Sequence, residues 1–241
     1  MGNSEKLPYE KEESWKMFDG IAQSYDLLNT VLSMGIVQYW RKILVRYVPS
    51  KDKMTILDCA TGTGEVMASI MKKRATHIEA MVGIDLSKEM MSQGKKSKWY
   101  TQHSNIAFKH ASALDIPFNA KNFDVVSMAF GIRNVGDYKH CLKEIFRVIK
   151  PGGRALIMEF SLPSFFLLRW LYLGYFRWIL PFIGGVFSGN ATAYKYLNKT
   201  VETFPYGDAF LSEMKKAGFH SFSHKLTCGI ATLYVGDKPA V

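Results

Sequence analysis

The stretch from Thr55 to Glu65, TILDCATGTGE, constrains the fold more than any other part of the chain. A short apolar run that meets an acid and then a turn of small residues is the pattern of a buried parallel strand giving way to a ligand-binding loop. Asp58 closes the strand. Gly62 and Gly64 lack a Cβ, so the main chain can bend sharply there and approach a ligand closely, and Thr63 between them offers a hydroxyl. The loop has no Gly-Lys-Ser/Thr ending and no third glycine of the dinucleotide fingerprint, which sets it apart from a phosphate cradle. Taken alone it is either a tight structural turn or a ligand site.

The residues that follow alternate between two periods. A helix is expected at 65–74, then a second strand at 80–84 that again ends in an acid, Asp85. The interval from Gly64 to Asp85 is about the 20 residues that separate a glycine loop from a ribose-binding acid in doubly wound folds. A carboxylate there can accept both ribose hydroxyl protons, at the sheet edge where such folds bind ligands. A helix starts at Ser87, and its Lys95, Lys96 and Lys98 read as a solvated face. Strand three, 106–110, leads into ASALDIPF, and a fourth apolar run, Phe123 to Phe130, ends in Gly131-Ile132-Arg133-Asn134. Asp137 is a helix cap before Leu142, Ile145, Phe146 and Ile149 at helical spacing. Lys150-Pro151-Gly152-Gly153 reads as a turn, and 154–160 as a fifth strand with Glu159 near its end. Such alternation predicts an α/β class with a mainly parallel sheet. A helix at 207–217 and two strands, 221–227 and 230–235, joined at Cys228-Gly229, would add a hairpin and bring the sheet to seven strands with an antiparallel edge.

Both ends of this core carry apolar helical segments. Residues 1–12 read as a mobile tail, and Trp15, Phe18, Ile21, Ala22, Tyr25 and Leu28 recur at helical intervals ahead of a stop at Pro49. Tyr25 and Asn29 share a face one turn apart, which alone is consistent with a half-buried tyrosine among solvated neighbours. From Phe165 to Phe187 the chain reads FFLLRWLYLGYFRWILPFIGGVF, long enough to recommend a membrane helix. Arg169 and Arg177 would each cost about 2.5–3.5 kcal/mol near a bilayer centre, against roughly 0.3–0.6 returned by each Leu, Ile or Phe. Pro181 and Gly184-Gly185 tip the balance against a spanning helix. Helices that enclose an apolar pocket or lie on a membrane surface are expected instead, with a plain helical cap as the simpler alternative.

A chain of 241 residues, 48% hydrophobic, can bury its core as one domain. Its 31 Lys and Arg against 21 Asp and Glu give a net charge of +10, which suits an anionic partner such as nucleic acid or an acidic membrane. The lysines are scattered and no aromatic-basic recognition motif is present, so nucleic acid is not expected. Cys59, Cys141 and Cys228 have neither disulfide-framework nor zinc spacing, so no metal is expected. The first residues, MGNSEKLPYEKEES, hold no apolar run, so no secretory signal is expected, and Lys6 does not suit N-myristoylation.

TILDCATGTGE, the acid of GIDLS, SALDIPF, FDVV and the KPGG turn together resemble class I S-adenosylmethionine-dependent methyltransferases over about residues 50–160. FDGIAQSYDLLNTVLSMG at 18–35, FGIRNV at 130–135 and MEFSLP at 158–163 resemble the ubiquinone/menaquinone C-methyltransferase family, and YKYL and AGF extend the likeness over nearly the whole chain. The resemblance implies a Rossmann-like core (50–160), an N-terminal helical cap (13–49), an apolar helical insertion covering the substrate (161–205) and a C-terminal helix and hairpin (206–241). It implies S-adenosylmethionine as cofactor, held by Asp58, Gly62, Thr63, Gly64, Asp85, Leu86, Ser112, Ala113 and Ala129. Gly62, Thr63 and Gly64 match positions on the methionine portion, Asp85 the ribose, and Ser112 and Ala113 the adenine. Thr61, Ser112 and Ala129 depart from the commoner glycine, aspartate and serine.

The implied reaction methylates a ring carbon of a polyprenyl quinol, bound by Tyr25, Asn29, Arg133 and Asn134. Arg133 would stabilise the phenolate and Asn134 orient the ring or a water. The base would be a water polarised by Arg133, Glu159 or Tyr25. A cytoplasmic protein touching the inner face of the membrane through 165–187 and its basic surface is expected, and a second copy of the chain is a further candidate partner. Two alternatives stay open at this level: methylation of another lipid or small molecule, such as a sterol or fatty acyl chain, and a membrane-attached scaffold with a degenerate cofactor pocket.

Overall fold

The structure is a computed structural model that describes residues 13–22, 30, 33, 35–175, 196 and 199–240. Tyr25, Asn29, the tail at 1–12 and the part of the aromatic segment from 176 to 187, which includes Arg177, Pro181 and Gly184-Gly185, lie outside the described residues.

Seven strands form one sheet: β1 (Met54–Cys59), β2 (Ile78–Asp85), β3 (Ile106–His110), β4 (Phe123–Ala129), β5 (Ile149–Phe160), β6 (His220–Leu226) and β7 (Ala231–Asp237). Their spatial order is β3-β2-β1-β4-β5-β7-β6. Pairs β1/β2, β1/β4, β2/β3 and β4/β5 are parallel, whereas β7 runs antiparallel to both β5 and β6. The C-terminal hairpin therefore forms the edge as expected, but its later strand is the inner one. Burial explains the choice: all but the last residue of ATLYVGD in β7 are buried, while HSFSHKL in β6 is largely exposed or half-exposed. The more apolar strand takes the slot covered on both faces.

The helices, in chain order, are α1 (Ser14–Ile21), α2 (Ile36–Arg46), α3 (Glu65–Arg74), α4 (Lys88–Lys95), α5 (Lys98–Thr101), α6 (Tyr138–Val148), α7 (Phe166–Gly174) and α8 (Asp208–Lys216). One face of the sheet packs Leu44 of α2 and Met67 and Ile70 of α3 against Ile56, Met81 and Val125. The other packs Leu142 and Ile145 of α6 and Phe210 and Met214 of α8 against Leu57, Ile84 and Ile157. Caps set the helix starts where the sequence puts short polar residues. Ser87 Oγ accepts from Met90 N at 3.1 Å, and Asp137 Oδ1 accepts from His140 N at 2.9 Å. Lys95, Lys96 and Lys98 are exposed, as a solvated face requires.

The KPGG segment corrects one expectation. Rather than a turn preceding a strand at 154–160, β5 begins at Ile149 and carries the four residues as a bulge. Phe123 pairs with Ile149 and Val125 already with Arg154, so the extra residues loop out of register. Gly152 sits at φ +74°, where an L side chain would be strained, and its N–H donates to Lys238 O at 3.0 Å. The segment just after β7 thus supplies the hydrogen bonds that hold the bulge in place.

A third, smaller apolar cluster joins the two helical caps. Met17 of α1, Leu162, Tyr172 of α7, Tyr196 and Val201 are buried together, with Phe18, Phe160 and Tyr175 against them. No helix among the described residues is long and apolar enough to cross a membrane.

Candidate active site

The carboxyl ends of β1, β2, β3 and β4 meet where the strand order reverses, between β1 and β4, and open α/β sheets bind ligands at this point. Thr61, Gly62, Thr63 and Gly64 turn out of β1 there. Thr61 N donates to Ile84 O at 3.1 Å and Gly64 N to Thr61 O at 2.9 Å, and Gly62 and Gly64 take φ of +57° and +82°. The loop is thereby pinned to the end of β2. Gly62 N donates to Asp85 Oδ2 at 2.8 Å, and Ser87 N to Asp85 Oδ1 at 2.8 Å. The carboxylate has about four lone-pair sites, so these main-chain N–H groups leave it room to accept from a ligand. Burial pushes the Asp85 carboxyl up, against the pull of the N–H groups of Ser87, Gly62 and Leu86 and with Asp19 adding repulsion.

Asp58 is placed differently from its partners in the expected set. It is 1% exposed, and its oxygens accept from Thr61 Oγ1 at 2.7 Å and Ser127 Oγ at 2.6 Å. Burial pushes its carboxyl up to about 6, the hydroxyls of Ser127 and Thr61 pulling the other way. Asp58 therefore ties the loop from below to β4. Thr61, in place of a glycine, fits because Gly83 of β2 has no side chain: a Cβ there would lie 2.8 Å from Thr61 Cγ2. Its hydroxyl is spent on Asp58 and, at 3.1 Å, on the sulfur of Met67. Ser112, Ala113 and Ala129 lie half-buried at or just beyond the ends of β3 and β4, Leu86 is 37% exposed beside Asp85, and Ser112 Oγ accepts from Leu114 N at 3.1 Å.

The strands that flank the switch point leave it through residues with unusual backbones. Ala60 after β1 has φ +50° and Phe130 after β4 has φ +58°, conformations that cost an L residue about 1–2 kcal/mol. Such strain persists where the surroundings over-determine it, most often at sites. Phe130 lets the chain fold back into a short 3-10 turn, Ile132–Asn134. That turn buries Arg133, whose side chain is 5% exposed, against Glu159 at 1%. Arg133 Nη1 donates to Glu159 Oε1 at 2.7 Å and to Phe130 O at 2.6 Å, and Arg133 N to Glu159 Oε2 at 3.3 Å. The guanidinium carbon lies 5.2 Å from the Phe160 ring centroid, a cation–π contact. Two buried polar atoms here have no hydrogen-bond partner among the described residues: Arg133 Nε, a donor, and Asn134 Oδ1, an acceptor. A buried polar atom is ordinarily paired, so adjacent orphans of opposite kind mark a place for a ligand or water.

Sequence reasoning named Arg133, Asn134 and Glu159, and the structure brings them together. It missed several neighbours. Trp40 of α2 packs its ring 6.0 Å from Phe130 and 6.2 Å from Phe160, giving the site an aromatic wall. Tyr172 of α7 is buried in the apolar cluster, and burial pushes its phenol up, with Arg133 opposing and Glu159 reinforcing the shift. Asp19 of α1 accepts from Ser87 Oγ at 2.5 Å, which latches the N-terminal helix onto the cap of α4 beside Asp85. Asp19 lies in the FDGI motif, so a signal existed; Tyr172 is one aromatic among many in its segment and had none.

These residues fit S-adenosylmethionine on their own chemistry. The acid with spare lone pairs at the end of β2, the glycine loop hydrogen-bonded to it and the half-buried Ser112-Ala113 edge suit a ribose, an amino acid and an adenine in turn. The comparisons agree. Residues 6–238 match the model of the ubiE/COQ5 methyltransferase family. The chain is 45% identical over 235 residues to the ubiquinone/menaquinone biosynthesis C-methyltransferase UbiE of Geotalea daltonii, covering 97% of this chain and 99% of that one. It is 42% identical over 223 residues to the demethylmenaquinone methyltransferase of Thermus thermophilus, covering 92% and 100%. Among solved structures, the [4+2]-cyclase SpnF aligns with a TM-score of 0.71 at 13% identity over 98% of both chains. A SAM-dependent methyltransferase of Thermotoga maritima aligns at 0.64 and 18% identity, covering 93% and 99%, and these two likenesses concern the fold alone. With the loop, the acid and the sheet order in agreement, the chain belongs to the ubiE/COQ5 methyltransferase family and is a methyltransferase that uses S-adenosylmethionine.

Proposed function

We propose that the chain methylates a ring carbon of a polyprenyl quinol. The observation that carries this reading is the orphaned pair, Arg133 Nε and Asn134 Oδ1, buried against an aromatic wall. A hydroxylated aromatic ring has the matching surface, with oxygens that accept from one atom and donate to the other and faces that stack on Trp40 or Phe160. Relatives whose names specify ubiquinone, menaquinone or demethylmenaquinone methylation support the same class of substrate.

Bound at the Gly62–Gly64 loop and Asp85, S-adenosylmethionine supplies an electrophilic methyl on a sulfonium. The guanidinium of Arg133 stabilises the phenolate that forms when a ring hydroxyl loses its proton. A water held by the second lone pair of Asn134 Oδ1 takes that proton. The phenolate makes the neighbouring ring carbon electron-rich, and the walls of the site hold that carbon about 3–3.5 Å from the methyl. Methyl transfer would make the carbon–carbon bond at the expense of the carbon–sulfur bond and would leave an extra hydrogen on the ring carbon. Losing that hydrogen as a proton to water restores the aromatic ring, and the ring oxygen takes back the proton it gave up, so that the quinol is regained with one proton released overall.

Purified protein given S-adenosylmethionine and a short-tailed demethylquinol should yield a quinol one methyl heavier. Turnover of a sterol or fatty acyl substrate in place of the quinol overturns the reading. Arg133→Ala is expected to lower kcat by about 100-fold or more, and an effect within about threefold rejects its role.

The same reading has the protein in the cytoplasm, against the inner face of a membrane that holds the prenyl tail. Burying that tail returns about 0.8 kcal/mol per methylene, enough for an apolar contact to supply much of the substrate affinity. The outward residues of α7 support this placement: Phe165, Phe166, Leu167, Trp170 and Leu171 are between 53% and 80% exposed.

A further inference from the structure

We propose that Glu159 is a positioning residue that takes no proton: its carboxylate fixes Arg133 so that the Nε–H, buried and without a partner among the described residues, faces the substrate. The inference rests on the reading of Arg133 as the group that meets a ring oxygen.

Glu159 is the next-to-last residue of β5, opposite Thr232 of β7. A neighbouring strand on each side fixes its backbone, and its side chain reaches back across β4 to the 3-10 turn. There it holds Arg133 at both ends. Oε2 accepts from the main-chain N–H at 3.3 Å, and Oε1 accepts from Nη1 at 2.7 Å and from Phe160 N at 2.8 Å. Nη1 carries two hydrogens, and the second goes to the Phe130 carbonyl at 2.6 Å. With both spent and the guanidinium plane set over Phe160, the fork cannot turn. Nε–H is then the donor left buried without a partner among the described residues.

A base must take a proton at small cost, and the N–H groups held by Glu159 all favour its charged form. Its oxygens already receive three N–H groups. Protonating it would also leave Arg133 as an unpaired charge in a site where both side chains are at most 5% exposed. Glu159 acts on the reaction through the direction it gives Arg133, as supporting carboxylates orient the ligands of metal sites.

The test is a double-mutant cycle of Glu159→Gln and Arg133→Ala with the short-tailed demethylquinol, with binding of S-adenosylmethionine measured by calorimetry. Glu159→Gln should lower kcat about 10–100-fold and leave cofactor affinity within about threefold of wild type. In the Arg133→Ala background the same change should cost less than about twofold, because the residue it orients is gone. The acidic limb of the pH profile of kcat should persist in Glu159→Gln. Loss of that limb makes Glu159 the base and overturns the proposal, as do additive losses when Arg133→Ala is itself impaired. A fully active Arg133→Ala instead overturns the site reading, and this link with it. If Glu159→Gln does not fold, Arg133→Lys answers the same question: it keeps a cation for Glu159 but removes the aimed N–H. Its kcat should fall at least about tenfold, and an unchanged kcat overturns the proposal.

Discussion

Asp58 and Asp85 end adjacent strands, yet the fold gives them different surroundings. Asp85 keeps lone pairs for a ligand, while Asp58 is sealed by Thr61 and Ser127 beneath the loop. A folded-state value raised to about 6 means that Asp58 favours the folded protein below its unfolded value of about 3.9, and that this contribution is lost as pH rises through 6. Without cofactor, Asp58→Asn should therefore raise the Tm relative to wild type at pH 7.5 but not at pH 4.5, as thermal unfolding at the two values would record. The cofactor carries positive charge and favours the ionised carboxylates. Its affinity for wild type should weaken as pH falls from 7 to 5, and Asp58→Asn should flatten that dependence in calorimetry. The spacing of Gly64 and Asp85 was legible in the sequence because it is local to one βαβ unit. The partnership of Asp58 with Ser127, 69 positions away, was not.

Between elements, the loop is held by how closely α4 approaches it. A Cβ on Gly94 would lie 2.5 Å from the carbonyl oxygen of Thr63 and 2.9 Å from the ring of Phe108. In an exposed helix, Gly to Ala stabilises by up to about 1 kcal/mol. Here the sign reverses, because the obstructing atom belongs to the backbone of the cofactor loop. Gly94→Ala should cost about 1–3 kcal/mol in unfolding free energy, measured with denaturant, and weaken S-adenosylmethionine binding about tenfold. Unchanged affinity would mean that the loop moves independently of α4. The sequence placed this helix from Ser87 onward, but a glycine inside it carried no sign of what it touches. The KPGG segment teaches the converse: its residues demand a reversal, and only the pairing of Gly152 with the far end of the chain decides that the reversal is a bulge inside β5.

Across the whole molecule, α7 has two faces. Its inner residue Tyr172 is buried with Met17 of α1 and Tyr196, in the cluster that Phe160 links to Arg133, while Phe166 and Trp170 are 80% and 66% exposed. Lys225 lies beside the start of the segment, 3.5 Å from Ser164 Oγ, and Arg169 is also exposed. Aromatic side chains with cations beside them suit an acidic bilayer surface, where each Lys or Arg contributes about 1 kcal/mol. Sedimentation with vesicles containing phosphatidylglycerol should show binding that drops at least about tenfold in a Phe166→Ser, Trp170→Ser double variant, since each buried aromatic contributes about 1.5–3 kcal/mol. Turnover of a short-tailed quinol should survive those changes, and turnover of a long-tailed one should fall. Dimers of the chain that the same changes dissolve, with no vesicle binding by wild type, would make a second copy the occupant of this face.

The sequence by itself determined the class of the fold and picked out the glycine loop and its acid. Those depend on interactions between residues near in the chain: alternating periods, caps, and a glycine turn followed at a set interval by a carboxylate. It also brought Arg133, Asn134 and Glu159 into view as members of motifs, without their relation. Only the tertiary structure decided that β7 lies inside β6, that Asp58 supports the loop from beneath, and that Glu159 clamps Arg133 and leaves its Nε–H without a partner among the described residues. These outcomes turn on which groups are buried together. Burial is a property of the packed chain, in which residues 26 or 69 positions apart share the same interior and the same hydrogen bonds.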